Sequence, residues 1–285
     1  MKIALVGSSG YIGSALAENL NTKEHEVLCF GRSGDVDAYL DLRQAENFDY
    51  EKLEKVDFVV FTAAISGPDK CAVEFEACWN INVLGTRYFI EEALQRGCRV
   101  LFFSSDAVYA SRPGEIYDEG SIMEPQTPYG KMKQAVEEHF HGRHGFKAIR
   151  LSYVTSAEDK FMSYINGCRE KKIVAEIFHP FYRNVIMLNE VLTSVSWLLE
   201  YWEVFEPSVL CLAGDELISR LRIIDEINEK PGMYTEYRVV KPDSAFFKNR
   251  PPITQMRSKY LYSLGVLSRN TFTERFQQQI RGEEK

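Results

Sequence analysis

The chain has 285 residues, 45% of them apolar and 26% charged, with a net charge of −7. That is ordinary for a folded globular protein with room for one large or two small domains. The acidic balance argues against nucleic acid or an anionic membrane as partner.

The opening MKIALVG holds too short an apolar run for a signal peptide, and no later run reaches the roughly 18 residues of a membrane span. Six cysteines (29, 71, 78, 98, 168 and 211) are scattered without a C-x-x-C pair and read as reduced core thiols. A cytoplasmic protein is expected.

In chain order, KIALVG (2–7) reads as a strand and YIGSALAENL (11–20) as a helix. HEVLCFG (25–31), DFVVFTAA (57–64) and RVLFFSS (99–105) follow as strands. Residues 72–97 keep apolar side chains at three- and four-residue spacing, which predicts one long helix stopped by Gly97. A helix opens behind Pro128 in TPYGKMK, and GFKAIRLSY (145–153) is a fifth strand. A helix at 189–202 and the strand SVLCLAG (208–214) return to the sheet. Apolar strands alternating with helices predict an α/β fold with a doubly wound parallel sheet of Rossmann type. The expected division is a dinucleotide-binding domain at 1–154, rejoined at about 183–214, and a smaller substrate lobe at 155–182 and 215–285.

Three stretches carry chemistry. Gly7-Ser8-Ser9-Gly10-Tyr11-Ile12-Gly13 closes the first strand and opens the first helix. Glycines there let the backbone turn tightly and approach a pyrophosphate seated on the helix N-terminus. The second strand ends Phe30-Gly31-Arg32-Ser33, with no acid to hold ribose hydroxyls. An arginine there can grip a 2′-phosphate, so NADP(H) is favoured. In TPYGKMK, Tyr129 and Lys133 share a helix face, whereas Lys131 points away by about 200°. An ammonium beside a phenol favours the phenolate and lowers a pKa of about 10.

The glycine turn, SSDAVY (104–109) at a strand end, and Tyr129 with Lys133 form an ordered set. It resembles the extended short-chain dehydrogenase/reductase superfamily (NAD-dependent epimerases and dehydratases), within it most nearly the dTDP-4-dehydrorhamnose reductase group of nucleotide-sugar enzymes. NINVLGT (80–86), RNVIMLNEV (183–191) and NRPPITQMRSKYLYSLG (249–265) extend the likeness almost end to end. The resemblance implies that Ser105 hydrogen-bonds the substrate oxygen and Tyr129 protonates it. Lys133 would bind the nicotinamide ribose and tune the phenol. It also implies that Gly7, Ser9, Gly10, Tyr11, Ile12, Gly13, Arg32, Ser33, Asp41, Leu42, Ala63, Ala64 and Asn82 line the cofactor with Tyr129 and Lys133. Arg183 and Arg250, with Arg257 as a weaker third, would face a diphosphate, and Asp106 and Ala107 the sugar.

Dehydratases of this group carry an acid pair after the hydroxyl residue, and epimerase-reductases a cysteine. Here Asp106 is followed by Ala107, which leaves hydride and one proton: keto reduction, or 4-epimerisation through a transient ketone. The expected activity is NADPH-dependent reduction of a nucleotide-diphosphate 4-keto-6-deoxysugar in deoxysugar and polysaccharide biosynthesis. A 4-epimerase and a non-catalytic NADP-binding regulatory subunit are the alternatives.

The usual loop after Tyr153 is replaced by VTSAEDKFM (154–162), which leaves sugar and base open. Trp79, Tyr88 and Phe89 on the 72–97 helix look exposed and suggest a homodimer. His139, His141 and His144 fall at a helix end, where cations suit the dipole, rather than forming a metal site. Asp118 and Glu119 read either as acids packed near the active site or as plain loop acids, and the tail RGEEK as a solvated face.

Overall fold

The computed structural model describes residues 1–23 and 25–283; Glu284 and Lys285 of the charged tail lie outside them. The apolar runs form β1 (Lys2–Val6), β2 (Glu26–Gly31), β3 (Ala38–Tyr39), β4 (Phe58–Phe61), β5 (Arg99–Ser105) and β6 (Phe146–Leu151). With the strand Val209–Leu212 they make one seven-stranded sheet, ordered Val209–Leu212, β6, β5, β4, β1, β2, β3. Every pairing from β3 across to β6 is parallel. All four residues of β4 and all six of β6 are buried, as strands covered on both faces must be. The expected doubly wound sheet is present.

The strand order reverses at β1, which pairs with β2 on one side and β4 on the other. Ligands of such sheets bind beyond the carboxyl ends of the strands at this switch point. Gly7, Arg32, Ala63 and Asp106 follow β1, β2, β4 and β5 there.

The helices of this part are α1 (Tyr11–Thr22), α2 (Pro68–Val73), α3 (Phe75–Trp79), α4 (Thr86–Gln95) and α5 (Pro128–His139). The single helix expected over 72–97 is therefore broken. Glu74 leaves helical geometry at φ −106°, ψ 48°, and Asn80–Gly85 is a π-helical segment between α3 and α4. Tertiary bonds cause this: the Asn82 side chain is taken by the backbone of Ile65, and Gly85 is pressed on the Leu42 carbonyl. A π turn inside a helix often marks a functional site.

Phe89 corrects the sequence reading. It is fully buried within its own chain, its ring 5.5 Å from Phe48 and 5.8 Å from Phe61. Trp79 is half-buried beside Phe75, and Tyr88 alone of the three is exposed, at 44%.

The chain divides into two compact units. The first holds Met1–Ala110, Ile122–Leu151 and Ser194–Leu210, with a core of Phe30, Phe48, Phe61, Phe89, Phe102 and Phe140 among others. The second holds Ser111–Ser121, Ser152–Thr193 and the residues from Cys211. Its own core joins Phe161, Ile177, Met187, Ile224, Phe272 and Phe276. Inside it the strand Tyr182–Asn184 runs between Leu217–Ser219 and Ile253–Thr254. No helix among the described residues is long and apolar enough to cross a membrane.

A Cβ added at Gly85 would sit 1.8 Å from the Leu42 carbonyl oxygen, so even a methyl group forces the π segment off its support. Gly85→Ala should destabilise the protein by about 1–3 kcal/mol, as overpacking does. A urea midpoint equal to that of the wild type would contradict this.

Candidate active site

The glycine turn is built by close approach. Gly7 has φ +91°, its N–H donates to the Phe30 carbonyl at 2.9 Å, and a Cβ on it would lie 2.8 Å from Ala63 N. A Cβ at Gly13 would stand 2.1 Å from the Gly7 carbonyl oxygen, so α1 can pack on the turn only without a side chain there. Helix α1 starts at Gly10 with no side-chain cap and no acid in its first turn. No carboxylate therefore competes with an anion at this helix start, and the turn fits a dinucleotide pyrophosphate. Ser9 and Gly10 are exposed at the turn, with Tyr11 and Ile12 half-buried behind them.

Beyond β2, Ser33 Oγ lies 3.3 Å from Ser9 Oγ, which joins the two loops, and Arg32 is exposed beside them. Asp41 accepts the Arg43 backbone N–H at 3.0 Å and its guanidinium as well. That bond holds the Asp41 carboxyl at about 2, with the Arg32 charge adding a smaller share. Asp41 is thus committed to Arg43, and its neighbour Leu42 is buried beneath Gly85.

Ala63 and Ala64 continue β4, and the Ala63 N–H donates to the Val6 carbonyl at 3.1 Å. Asn82, 3% exposed, donates Nδ2–H to the Ile65 carbonyl at 2.9 Å and accepts the Ile65 N–H at 2.8 Å. It also reaches Met132 Sδ on α5 at 3.5 Å. Asn82 therefore ties the loop after β4 to α5.

The candidate reacting groups Ser105, Tyr129 and Lys133 lie where β5 ends against α5. Ser105 Oγ accepts the Ala107 N–H and donates to Asp106 Oδ1, both at 3.2 Å. Thr127 caps α5 by accepting the Gly130 N–H at 3.1 Å, and Pro128 suits the first turn. A Cβ on Gly130 would fall 2.0 Å from the Ala107 carbonyl oxygen, so this glycine lets the Tyr129 turn close on the loop behind Ser105. Lys133, 3% exposed, donates from Nζ to the Phe103 carbonyl at 2.6 Å and stands 5.8 Å from the Tyr129 ring centroid. Lys131 is exposed, as its place in the helical period requires.

The proton affinities depart from the sequence reading, in which the ammonium lowers the phenol. Burial raises the Tyr129 pKa, with Cys71 and Asp106 adding to it. Burial brings Lys133 down to about 7, opposed by Glu137 and Cys71. Desolvation penalises both charged forms and is the largest influence on each. The outcome is a phenol that keeps its proton, which is what a general acid requires.

Two neighbours escaped the sequence reading. Cys71, fully buried, touches the Asn82 amide, and its thiol is pushed up to about 12 by burial and by Cys78. Glu137 lies one turn beyond Lys133 on the same face, a spacing that was readable in the sequence.

In the second unit, Arg183 donates to the Tyr182 carbonyl at 2.6 Å and the Pro251 carbonyl at 2.9 Å, and its guanidinium lies 4.5 Å from the Phe181 ring. It lines a hollow with Tyr153, Phe181 and Arg220. Arg220 was not anticipated; its buried Nε has no hydrogen-bond partner among the described residues. Arg250 stacks 5.1 Å from Phe246, and Arg257 is exposed. Asp118 pairs with Lys259 at 3.0 Å, and Glu119 accepts from Cys211 N and Ser258 Oγ, all within this unit.

The Lys133 shift has a stability consequence. Between about 7 and 10.5 an unfolded lysine binds a proton that the folded one has released. Stability from this group therefore rises with pH across that window. The wild type should gain on Lys133→Met as pH climbs from about 7, read as the difference of urea midpoints. A difference flat with pH would contradict the burial of this amine.

Comparison with known proteins agrees with this geometry. The chain is 30% identical over 172 residues to the UDP-glucose 4-epimerase of Streptomyces lividans, covering 55% of this chain and 52% of that one. It is 27% identical over 134 residues to the dTDP-4-dehydrorhamnose reductase of Aggregatibacter actinomycetemcomitans, covering 46% and 44%. The matches thus span about half the length of these curated relatives. In fold it superposes on the dTDP-4-dehydrorhamnose reductase of Bacillus anthracis str. Ames in complex with NADP, with TM-score 0.82 at 17% identity over 100% of this chain and 98% of that one. The family model of NAD dependent epimerases and dehydratases matches residues 3–161. That stretch takes in the glycine turn, Ser105, Tyr129 and Lys133 and exceeds half of the 285 residues, so the chain belongs to the NAD dependent epimerase/dehydratase family, whose nicotinamide dinucleotide the turn fits.

Proposed function

We propose that this protein reduces the keto group, at C4, of a nucleotide-diphosphate 4-keto-6-deoxysugar, with NADPH as cofactor, in deoxysugar and polysaccharide biosynthesis. The observation that carries the reading is a phenol kept protonated by burial, beside a buried lysine, next to a loop with one acid only. When bound, the nicotinamide supplies hydride to the carbonyl carbon. Ser105 Oγ orients the carbonyl oxygen, and Tyr129 holds at Oη the proton that this oxygen takes up as charge develops on it. Lys133 holds the nicotinamide ribose. Ala107 offers no second acid or base for elimination, and no thiol.

Arg32 is the support for NADP over NAD. It is exposed beyond β2, and both it and Arg43 face the single carboxylate of Asp41. In the second unit, Arg183 and Arg250 are the proposed diphosphate grips. A second reading, 4-epimerisation, draws on the likeness to the Streptomyces lividans UDP-glucose 4-epimerase. A two-fold partner set against Trp79 and the exposed Tyr88 remains our proposal for assembly, to be read by light scattering.

The test is turnover with a panel of nucleotide-diphosphate keto sugars. Reduction consumes one NADPH per sugar; epimerisation interconverts sugars with no net change in nucleotide. Interconversion without NADPH loss would replace the proposal by the second reading. NADPH should also bind more tightly than NADH, and Arg32→Ala should narrow the gap by weakening NADPH. Equal affinities of the two nucleotides in the wild type would remove the assignment of Arg32.

A further inference from the structure

The catalytic face of α5 does not end at Lys133. Glu137 follows at the same four-residue spacing, 5% exposed, and its carboxylate is gripped from β6 by Arg150. Arg150 donates Nη2–H at 2.8 Å and Nε–H at 3.0 Å to Glu137 Oε2, and is itself 5% exposed. Ser104 Oγ on β5 donates to Glu137 Oε1. The remaining Arg150 Nη1 donates to Tyr109 Oη at 2.9 Å, with the guanidinium 5.2 Å from that ring. A carboxylate buried this deeply needs such a partner, and a two-point fork fixes its direction as well as its charge.

The groups around Lys133 can be named. On its own helix are Tyr129 and Glu137; from α2 comes Cys71; β5 offers the Phe103 carbonyl. Asp106, after β5, faces Tyr129, and Arg150 faces Glu137. Among these, Glu137 is the acid on the amine's own helix face, one turn away. Glu137 is occupied by Arg150 and does not bond Lys133.

We propose that Glu137, clamped by Arg150 and Ser104, is a positioning residue whose carboxylate favours the ammonium form of the buried Lys133 amine and fixes the face of α5 from which it serves Tyr129. The proposal rests on Lys133 being the partner of Tyr129. It extends the reacting pair into an array running from Tyr109 through Arg150 and Glu137 to Lys133 and Tyr129, all within the first unit. The lowered proton affinity of Lys133 supports it, since Glu137 is the main influence opposing burial there.

The sign of the effect separates this role from a merely structural one. Loosened packing would let water reach Lys133 and raise its titration midpoint toward that of an ordinary lysine. Loss of the carboxylate charge with packing intact would lower it. The experiment is NMR of protein carrying ¹³Cε-labelled lysine, with the Lys133 signal assigned by its absence in Lys133→Met. The titration midpoint is compared between wild type and Glu137→Gln. We expect a fall of about one unit, the low end for losing a nearby opposite charge. Where Glu137→Gln does not fold, Glu137→Gln/Arg150→Met leaves neither charge orphaned, and its midpoint should also lie below that of the wild type, because of the two Glu137 is the one that acts on the amine. An unchanged or raised midpoint in the variant that folds overturns the proposal. The signal is read without substrate, so a lowered midpoint in a protein that reduces no keto sugar supports this role while overturning the proposed function.

Discussion

A lysine amine sealed from water is the constraint on which the proposed catalytic side of this protein depends. Lys133 is 3% exposed, and its amine donates to the Phe103 carbonyl of β5 at 2.6 Å. An ammonium in such a place is costly unless the surroundings meet it. The surroundings answer with that carbonyl, the Phe102 ring 4.5 Å away and the carboxylate of Glu137. Each sits on β5 or α5, so the packing of this helix on that strand is tied to the amine it buries. Burial also raises the proton affinity of Tyr129, which is half-buried beside it. Acid and base character here is thus a property of burial, set before any ligand arrives.

Close backbone approach is the second constraint. Gly7, Gly13, Gly85 and Gly130 each occupy a place where a methyl group would meet a backbone atom at 2.8 Å or less. Two of them shape the turn between β1 and α1. Gly85 seats the π segment on the loop holding Leu42, and Gly130 closes α5 on the loop behind Ser105. Small residues, more than polar contacts, bring the cofactor side and the reacting side to one edge of the sheet.

Much of this was legible in the sequence. Alternating apolar strands and helices gave the sheet, because strands buried on both faces must read as continuous apolar runs. The glycine spacing and the four-residue step from Tyr129 to Lys133 are local geometry, and local geometry is visible in a string. The break in the 72–97 helix was not, since it follows from Asn82 bonding Ile65, 17 positions earlier. Phe89 reads as exposed by likeness to a dimer-forming helix, and nothing local shows that this face meets Phe48 and Phe61. The direction of the Tyr129 shift was missed for a similar reason: spacing reveals a neighbour, but burial is a property of the assembled fold. Arg150 and Glu137 are 13 positions apart on different elements, and nothing in their spacing joins them. Arg220 carried no local signal and emerged only with the hollow it lines.

The central claim is that Tyr129 delivers the proton. It is tested most directly by single-turnover oxidation of bound NADPH on mixing with a keto sugar that the wild type reduces, compared with Tyr129→Phe. The account predicts that the variant binds NADPH as the wild type does and reacts about 10²–10⁴-fold more slowly, the usual loss for a general acid. Near-normal single-turnover rates in Tyr129→Phe would contradict it.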